Sequence, residues 1–233
     1  MISIIIPVYN QAKKIRETLE SIAKQTLTDW EVIVVNDGST DDLEKEFTAF
    51  LNKFSGPNSF IFLNQENRGA PSARNTGARK AQGEFLFFCD GDAVLNPRAL
   101  ELLQSALLFD TKAAFAYSAF KWGRRLFKVG PYNYERLRRE PYIHTMSLIR
   151  ASAFPASGWD ESIKRFQDWD LWLTIASAGG YGIFIDQVLF TVSPGGHISS
   201  WMPSLTYRWL PFLPAVKRYE AAKKIIYTKH QIA

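Results

Sequence analysis

Four apolar runs, at residues 2–6, 30–35, 60–63 and 85–89, alternate with segments whose apolar or small residues recur at helical spacing. Short runs dominated by Ile, Val, Leu and Phe are typical of strands that are buried on both faces. Because strands joined through crossover helices run parallel, this alternation predicts a sheet covered by helices on both faces. We therefore expect an α/β fold with a mostly parallel central sheet.

Polar residues follow the ends of these predicted strands. Tyr9 and Asn10 follow the first run, Asp37 follows the second, and Asp90 and Asp92 follow the fourth. In parallel sheets, ligands bind beyond the carboxyl ends of the strands. We therefore expect these side chains to meet at one edge of the sheet and to form a binding site.

Asp90 and Asp92 flank Gly91 at the mouth of a buried strand. Two carboxylates in this position repel each other and lose solvation, so they need a compensating charge. A hard divalent cation supplies it and commonly shares its oxygen shell with substrate phosphates. The tripeptide alone fits a solvated turn equally well, but its convergence with Tyr9 and Asp37 favours a metal site.

The chain beyond residue 96 predicts further elements: a helix to about residue 107, strands at 113–117, 143–149 and 181–192, and a helix at 167–177. The segment 121–139 differs, because Gly123 and Gly130 indicate turns between short strands and basic residues predominate. It is either a solvated basic hairpin, which we favour, or a site for an anionic acceptor.

The positive charge of the chain is concentrated at its C-terminal end. The formal net charge is +5 at pH 7, and residues 201–233 contain six basic residues and one acidic residue, which accounts for the whole excess. The rest of the chain is neutral, which argues against nucleic-acid binding.

The cysteine content and the apolar runs bear on the cellular compartment. A single cysteine excludes an internal disulfide and leaves the cytoplasm as the default compartment. Residues 1–7 form too short an apolar run for a secretory signal, and no run reaches the roughly 18 apolar residues of a membrane span. We expect a cytoplasmic location.

Six motifs occur in order: IPVYN at 6–10, VNDGSTD at 35–41, NRG at 67–69 with ARN at 73–75, DGD at 90–92, GWDE at 158–161 and QDWDLW at 167–172. From residue 2 to about residue 197 the chain resembles the family-2 glycosyltransferases. The resemblance implies the GT-A fold and inverting transfer of a sugar from a nucleotide-sugar, with a UDP-sugar expected. It also implies a glycosyltransferase domain at 1–198, with a nucleotide-binding half at 1–95 and an acceptor-binding half at 96–198, before a basic, aromatic tail at 199–233.

The resemblance implies a nucleotide-binding set. Its members are Pro7, Tyr9, Asn10, Asp37, Arg74 and Asp90. Asp37 is expected to accept a hydrogen bond from an N–H of the base, because carboxylate oxygens only accept; alternatively it stabilises the turn before Gly38. Arg74 is expected to contact the diphosphate, which suits the geometry of a guanidinium, or else to be a solvated helix charge.

The resemblance also implies a metal site for Mg²⁺ or Mn²⁺ at Asp92, with help from Asp90. The cation would bridge the diphosphate and neutralise its charge as the nucleotide leaves. His197 follows the last predicted strand and is a further candidate ligand, with an ordinary loop histidine as the alternative.

Asp168 is implied to be the catalytic base. In an inverting reaction the acceptor hydroxyl attacks from the face opposite the diphosphate, and a carboxylate there takes its proton. The alternative is an acid of the first helical turn that the helix dipole favours. The family usually has Glu before this residue, whereas this chain has Gln167, and Asp170 is the second candidate base.

For the acceptor, the resemblance points to Trp159, Asp160 and Trp169. Trp159 lies in a loop before the base, where its ring could stack on a sugar, whereas Trp169 and Trp172 share a helical face, which more often indicates a core position. His144 and Cys89 fall within predicted strands, so we expect them to be structural.

The tail combines aromatic residues, prolines and the basic segment 217–229. This composition suits an element lying at an anionic lipid surface, which would put the protein at the inner face of the cell membrane. The alternative, which we favour slightly, is a helix that packs on the body or mediates a dimer.

The sequence thus predicts a metal-dependent, inverting glycosyltransferase that acts on a glycan or lipid-linked acceptor. The alternative is a non-catalytic nucleotide-sugar-binding or scaffolding module that keeps the fold, and Gln167 is the one departure that favours it. The donor sugar, the acceptor and the linkage remain open.

Overall fold

The computed structural model describes residues 1–193 and 213–232. The strands are β1 (Ile2–Val8), β2 (Trp30–Asp37), β3 (Ser59–Gln65), β4 (Phe85–Phe88), β5 (Ala93–Leu95), β6 (Phe115–Trp122), β7 (Arg125–Phe127), β8 (Leu148–Arg150) and β9 (Gly182–Val192). The α-helices are α1 (Ala12–Ala23), α2 (Leu43–Leu51), α3 (Ala70–Ala78), α4 (Ala99–Phe109), α5 (Tyr134–Arg139), α6 (Gln167–Ser177) and α7 (Pro214–Lys229).

The first four strands form the parallel half of the sheet, in the order β3-β2-β1-β4. Ile2 of β1 pairs with Trp30 of β2 on one side and with Phe85 of β4 on the other, both in parallel register. This arrangement confirms the α/β pattern that the four apolar runs predict.

The second half of the sheet is mixed. β8 runs antiparallel to both β4 and β6, β6 is parallel to β9, and β5 is antiparallel to β9. In the described chain, the uninterrupted parallel order therefore ends at β4, where the antiparallel strand β8 begins the mixed half.

Several predicted elements in this half are shorter or different in the structure. The strand expected at 143–149 is reduced to Leu148–Arg150. The segment 121–139 contains the β6–β7 hairpin, as predicted, but continues into helix α5. Asn133 caps that helix by accepting a hydrogen bond from the backbone N–H of Arg136 at 2.8 Å. Strand β5, which has only three residues, was not predicted.

Helices cover both faces of the sheet because neighbouring strand residues point to opposite sides. Ile4 and Val34 pack into a core beneath α1, α2 and α4. Ile5 and Val35 pack into a second core with α3, α6 and α7. Helix α3 approaches this second face closely, since a Cβ at Gly77 would lie only 2.4 Å from a methyl carbon of Ile5.

Helix α7 packs on the body of the protein. Ile226 is fully buried in the second core, and the ring of Tyr227 lies edge-on to Trp169 with centroids 5.8 Å apart. Of the alternatives for the tail, packing on the body is the one observed for α7. None of the helices in the described ranges combines the length and hydropathy that a bilayer crossing requires.

Replacing Ile226 with Ala tests this packing. We expect Ile226→Ala to lower the free energy of unfolding by about 2–5 kcal/mol, because it leaves a cavity under the helix. The matched control is Ile225→Ala, since Ile225 is 57% exposed on the same helix and should change stability by no more than about 0.5 kcal/mol. Denaturant unfolding measures both values, and equal losses would contradict the docking of α7.

Candidate active site

A cleft of about 520 Å³ opens at the carboxyl ends of β1, β2 and β4. The strand-end wall includes Pro7, Tyr9, Asp37, Arg74, Asp90 and Asp92. The wall built from the second half of the chain includes His144, Lys164, Arg165, Phe166, Gln167 and Asp168. The strand ends therefore meet as the sequence predicts, and the start of α6 lines the same cleft.

Asp90 and Asp92 are only partly compensated by protein cations. The Asp92 carboxylate is nearly buried and lies 3.3 Å from the ammonium group of Lys14. Burial, followed by repulsion from Asp90, raises the pKa of Asp92, and Lys14 acts in the opposite direction. Asp90 lies 3.4 Å from the Arg74 guanidinium and 3.9 Å from Nε2 of His144.

This pair fits a divalent cation that takes its other ligands from substrate and water. A desolvated carboxylate with a raised pKa is one that a nearby positive ion would stabilise in the charged form. Within residues 1–193 and 213–232, no cluster of three or more His, Cys, Asp or Glu side chains is placed to hold a metal ion. His197, the third candidate ligand, lies outside the described residues.

Arg74 joins the two walls of the cleft. Its guanidinium pairs with Asp90, donates to Oε1 of Gln167 at 3.2 Å, and lies 4.7 Å above the ring of Trp159. Arg74 is 7% exposed, and its buried Nε has no hydrogen-bond partner in the described protein. Gln167 thus gives Arg74 an oxygen acceptor at the position where the family usually has a carboxylate.

Asp37 carries the turn-stabilising role that the sequence left as its alternative. Its carboxylate accepts hydrogen bonds from Nε2 of Gln65 at 2.7 Å and from the backbone N–H groups of Arg68 and Gly69 at 2.9 Å each. These bonds fix the loop that starts α3. Asp37 also lines the cleft, so its proposed contact with a base stays open.

Asn10 connects two strand-end loops. Its Oδ1 accepts a hydrogen bond from the backbone N–H of Thr40 at 2.8 Å, and its own N–H donates to Ser39 at 3.0 Å. Asn10 adopts φ 52°, a left-handed conformation that Asn tolerates better than most residues. Its side chain therefore holds the ends of β1 and β2 together, and any nucleotide contact by Asn10 stays a prediction.

Asp168 occupies the first turn of α6 and faces the cleft. Burial raises the pKa of its carboxyl group, and nearby His144 and Arg74 partly offset this effect. One of its oxygens accepts a hydrogen bond from the backbone N–H of Trp169 at 2.9 Å. A carboxylate with a raised pKa is a stronger base, which suits proton removal from a hydroxyl.

Asp170, the second candidate base, does not line the cleft and instead contacts residues at the end of α7. Its buried carboxylate lies 2.9 Å from Nζ of Lys229 and 2.7 Å from Nε2 of His230, both at the end of α7. Of the two acids in the QDWDLW motif, Asp168 is the one that lines the cleft.

The two tryptophans predicted to bind the acceptor are buried and do not line the cleft, so contact with the acceptor stays a prediction for both. Trp159 is 2% exposed and lies edge-on to Phe88 with ring centroids 5.1 Å apart. Trp169 is fully buried, and its indole N–H donates to the backbone oxygen of Leu137. Trp159 instead supports the face of the Arg74 guanidinium.

Asp160, the third predicted acceptor residue, pairs with Lys229 of α7 at 2.7 Å. This ion pair, followed by a hydrogen bond from Ser162, lowers the pKa of Asp160 to about 2. Its partners are structural, and a contact with the acceptor stays a prediction.

Several residues that line the cleft are not among the predicted site residues. His144, expected to be structural, has Nδ1 positioned to accept from the backbone N–H of Met146 at 3.1 Å, which turns Nε2 toward Asp90. An aromatic wall consists of Phe120, Trp122 and Phe127 from the β6–β7 hairpin. Residues 120 and 122 are two apart on one strand, so their side chains lie on the same face of the sheet. This spacing was the signal in the sequence that could have identified the aromatic wall.

The fold and the cleft together define a GT-A domain of the nucleotide-sugar transferase type. Residues 3–159 match the model for glycosyl transferase family 2. The chain belongs to this family.

Two curated relatives illustrate the relationship. Chondroitin synthase from Escherichia coli is 31% identical over 192 residues, covering 78% of this chain and 27% of that protein. An uncharacterized glycosyltransferase from Rickettsia prowazekii is 33% identical over 188 residues, covering 74% of this chain and 57% of that protein. The chain therefore spans less than two thirds of the length of either relative.

Solved structures share the fold at lower identity. S. aureus TarS 1–349 in complex with UDP-GlcNAc superposes with a TM-score of 0.68 and 24% identity, over 95% of this chain and 66% of that one. Mannosyltransferase PcManGT from Pyrobaculum calidifontis, in complex with GDP-Man and Mn²⁺, gives a TM-score of 0.69 and 21% identity, over 89% of this chain and 59% of that one.

The opposite pKa shifts of Asp168 and Asp160 predict opposite effects on stability. The pKa of Asp168 is raised in the folded protein, so ionising its carboxyl group costs more in the folded chain than in the unfolded chain. At pH values above the usual pKa of Asp, the charged form therefore lowers the stability of the fold. Asp168→Asn should therefore raise the free energy of unfolding at pH 7, and this gain should shrink as the pH falls through the raised pKa and be absent below about 4.

Asp160→Asn is the matched comparison. The pKa of Asp160 is lowered to about 2, so its charged form stabilises the fold at pH values above the usual pKa of Asp. The variant should lose stability at pH 7, and the loss should fade as the pH approaches 2. Urea unfolding between pH 3 and pH 7 measures both variants, and a loss of stability in Asp168→Asn at pH 7 would contradict its assigned burial effect.

Proposed function

We propose that this chain transfers a sugar from a nucleotide-sugar, with a UDP-sugar as the first candidate, to a hydroxyl of a glycan or lipid-linked acceptor, with inversion. The observation that carries the proposal is one cleft with Asp90 and Asp92 on its strand-end wall and Asp168 on the wall formed by the start of α6. Acids on two different walls suit a donor diphosphate beside one wall and an acceptor hydroxyl beside the other.

The strand-end wall is the proposed donor site. Pro7, Tyr9 and Asp37 would hold the base, and Arg74 would contact the diphosphate. The structural neighbours support a nucleotide-sugar, since one is a complex with UDP-GlcNAc and the other with GDP-Man and Mn²⁺. We place UDP first because the resemblance of the strand-end motifs points to uracil.

Asp92 and Asp90 would hold Mg²⁺ or Mn²⁺, which when bound supplies positive charge to the leaving diphosphate. Arg74 is suited to help here, because its buried Nε–H has no protein partner and a guanidinium donates well to phosphate oxygens. The interaction with Trp159 and the bond to Gln167 hold Arg74 in a fixed orientation.

Asp168 would act as the base. As the acceptor oxygen forms its bond to the anomeric carbon, its proton passes to the Asp168 carboxylate, and the bond from that carbon to the diphosphate breaks with its electrons on the leaving oxygen. Attack from the face opposite the diphosphate inverts the anomeric carbon. Burial of Asp168 raises its pKa and so strengthens it as a proton acceptor.

We propose that this activity belongs to the domain at 1–198, with its donor half at 1–95 and its acceptor half at 96–198. The curated relatives include a chondroitin synthase and a hyaluronan synthase, which supports a role in polysaccharide assembly. We further propose a cytoplasmic enzyme whose tail at 199–233, through its basic residues, contacts the inner face of the membrane or a second copy.

The metal site is tested by calorimetry with UDP and Mn²⁺. We expect Mn²⁺ to tighten UDP binding by about tenfold in the wild-type chain. Asp92→Asn should reduce this enhancement to about twofold or less, because it removes a charged oxygen ligand. Asp186→Asn is the control, since Asp186 is an exposed acid paired with Lys128 and should keep the full enhancement. An intact Mn²⁺ effect in Asp92→Asn would exclude Asp92 as a ligand.

The assignment of Asp168 as the base is tested by assaying a panel of nucleotide-sugars. Slow hydrolysis of each donor is measured first, and sugar transfer to an acceptor is measured second. We expect Asp168→Asn to lower the transfer rate by about 10²–10⁴-fold, because it removes general base catalysis. Wild-type transfer should rise with pH through the raised pKa of Asp168, and the variant should lose that rise. UDP binding by calorimetry checks that the donor site survives.

The same panel decides the alternative function. A chain that binds UDP and Mn²⁺ but turns over none of the nucleotide-sugars would be the non-catalytic binding module. Full transfer activity in Asp168→Asn would instead remove Asp168 as the base.

A further inference from the structure

Two cations line the cleft immediately before the helix that carries Asp168. Lys164 and Arg165 both contribute to the cleft wall. The ammonium group of Lys164 lies 3.4 Å from a backbone oxygen of Glu161. Within the described part of the chain, neither cation has a carboxylate partner, whereas Arg74 on the opposite wall pairs with Asp90.

Arg165 is held by aromatic rings rather than by an acid. Its guanidinium carbon lies 5.3 Å from the ring centre of Phe166 and 5.2 Å from that of Tyr219 in α7. Such contacts attract the cation while leaving N–H donors at the edge of the guanidinium for an oxyanion. Arg165 is therefore oriented before any ligand arrives.

The backbone at this point is also fixed. Phe166 has φ 65°, a left-handed conformation that is uncommon for an aromatic residue. The Phe166 ring lies edge-on to Tyr219 and to Trp169, with centroid distances of 5.0 and 5.6 Å. Rings on two helices thus hold the strained residue that separates Arg165 from α6, and a conformation of this kind is commonly kept where a side chain must be aimed.

The charge distribution decides which ligand these cations suit. On the proposed donor side, Arg74 and the cation that Asp90 and Asp92 would hold already supply positive charge for a diphosphate. Lys164 and Arg165 lie on the side of the base, where the acceptor hydroxyl must come. The aromatic wall of Phe120, Trp122 and Phe127 lines the same cleft and suits the apolar face of a sugar ring.

We propose that Lys164 and Arg165 form an anion subsite for the acceptor, which carries a carboxylate or phosphate on or next to the sugar that receives the transfer. The subsite rests on the proposed function, because it assumes that the Asp168 side of the cleft binds the acceptor. Arg165 supplies the oriented guanidinium edge, and Lys164 adds a second positive charge.

Calorimetry in the presence of saturating UDP and Mn²⁺ tests the subsite with three probes. The first is a hyaluronan tetrasaccharide, which carries carboxylates. The second is the same tetrasaccharide with its carboxylates reduced to alcohols, and the third is a glycerol phosphate oligomer, which carries phosphates. In the wild-type chain, the carboxylate or the phosphate probe should bind at least about tenfold more tightly than the neutral one.

Variants of Arg165 test whether this residue causes the preference for charged probes over the neutral one. Arg165→Ala should reduce the charged-to-neutral ratio to about twofold, and Arg165→Lys should keep an intermediate ratio because it retains the charge but loses the guanidinium fork. Lys80→Ala removes an exposed cation outside the cleft and should keep the full ratio. A thermal melt shows whether Arg165→Ala folds. If it does not, the test rests on the ratio measured for Arg165→Lys.

Three outcomes would overturn the subsite: weak or absent binding of both charged probes relative to the neutral one, a preference that survives in Arg165→Ala, or a loss of UDP affinity in that variant with an unchanged ratio. The last outcome would assign the cations to the donor diphosphate. Donor turnover is measured separately, so its failure would remove the proposed function without changing the measured ratio.

Discussion

The geometry of the cleft depends on one buried cation. Arg74 is the side chain that bonds to both walls, since it pairs with Asp90 at the end of β4 and donates to Gln167 at the start of α6. A buried guanidinium is costly unless its charge and donors are matched, so its partners must stay in place. Trp159 fills the space beneath it. Arg74 thereby sets the spacing between the two acidic walls.

The parallel half of the fold and the strand-end acids were predictable because their signals are local. An apolar run followed by a polar turn identifies a strand and its carboxyl end, which placed Asp37, Asp90 and Asp92 together. The mixed half was less predictable, since β5 and β8 are three-residue strands. Strands that short carry too little pattern to be recognised, and they form only because the neighbouring strands offer pairing.

The burial of Trp159 could not be read from the sequence, and helical spacing gave only an indication for Trp169, because both depend on partners far along the chain. Asn75, which anchors Trp159, is 84 residues away, and Tyr227, which covers Trp169, belongs to the tail. A tryptophan beside a catalytic motif fits a sugar platform or a core position equally well until such partners are known. The same distance hid the ion pairs of Asp160 and Asp170 with α7.

The contacts of α7 mean that this helix supports the cleft wall at the start of α6. Tyr219 contacts Arg165, while Lys229 and His230 lie within hydrogen-bonding distance of the buried Asp170. A fragment that ended before α7 would keep every strand described above but would leave the Asp170 carboxylate without its Lys229 and His230 partners. The cleft wall that carries Asp168 therefore depends on a helix that lies beyond the proposed 1–198 domain along the chain.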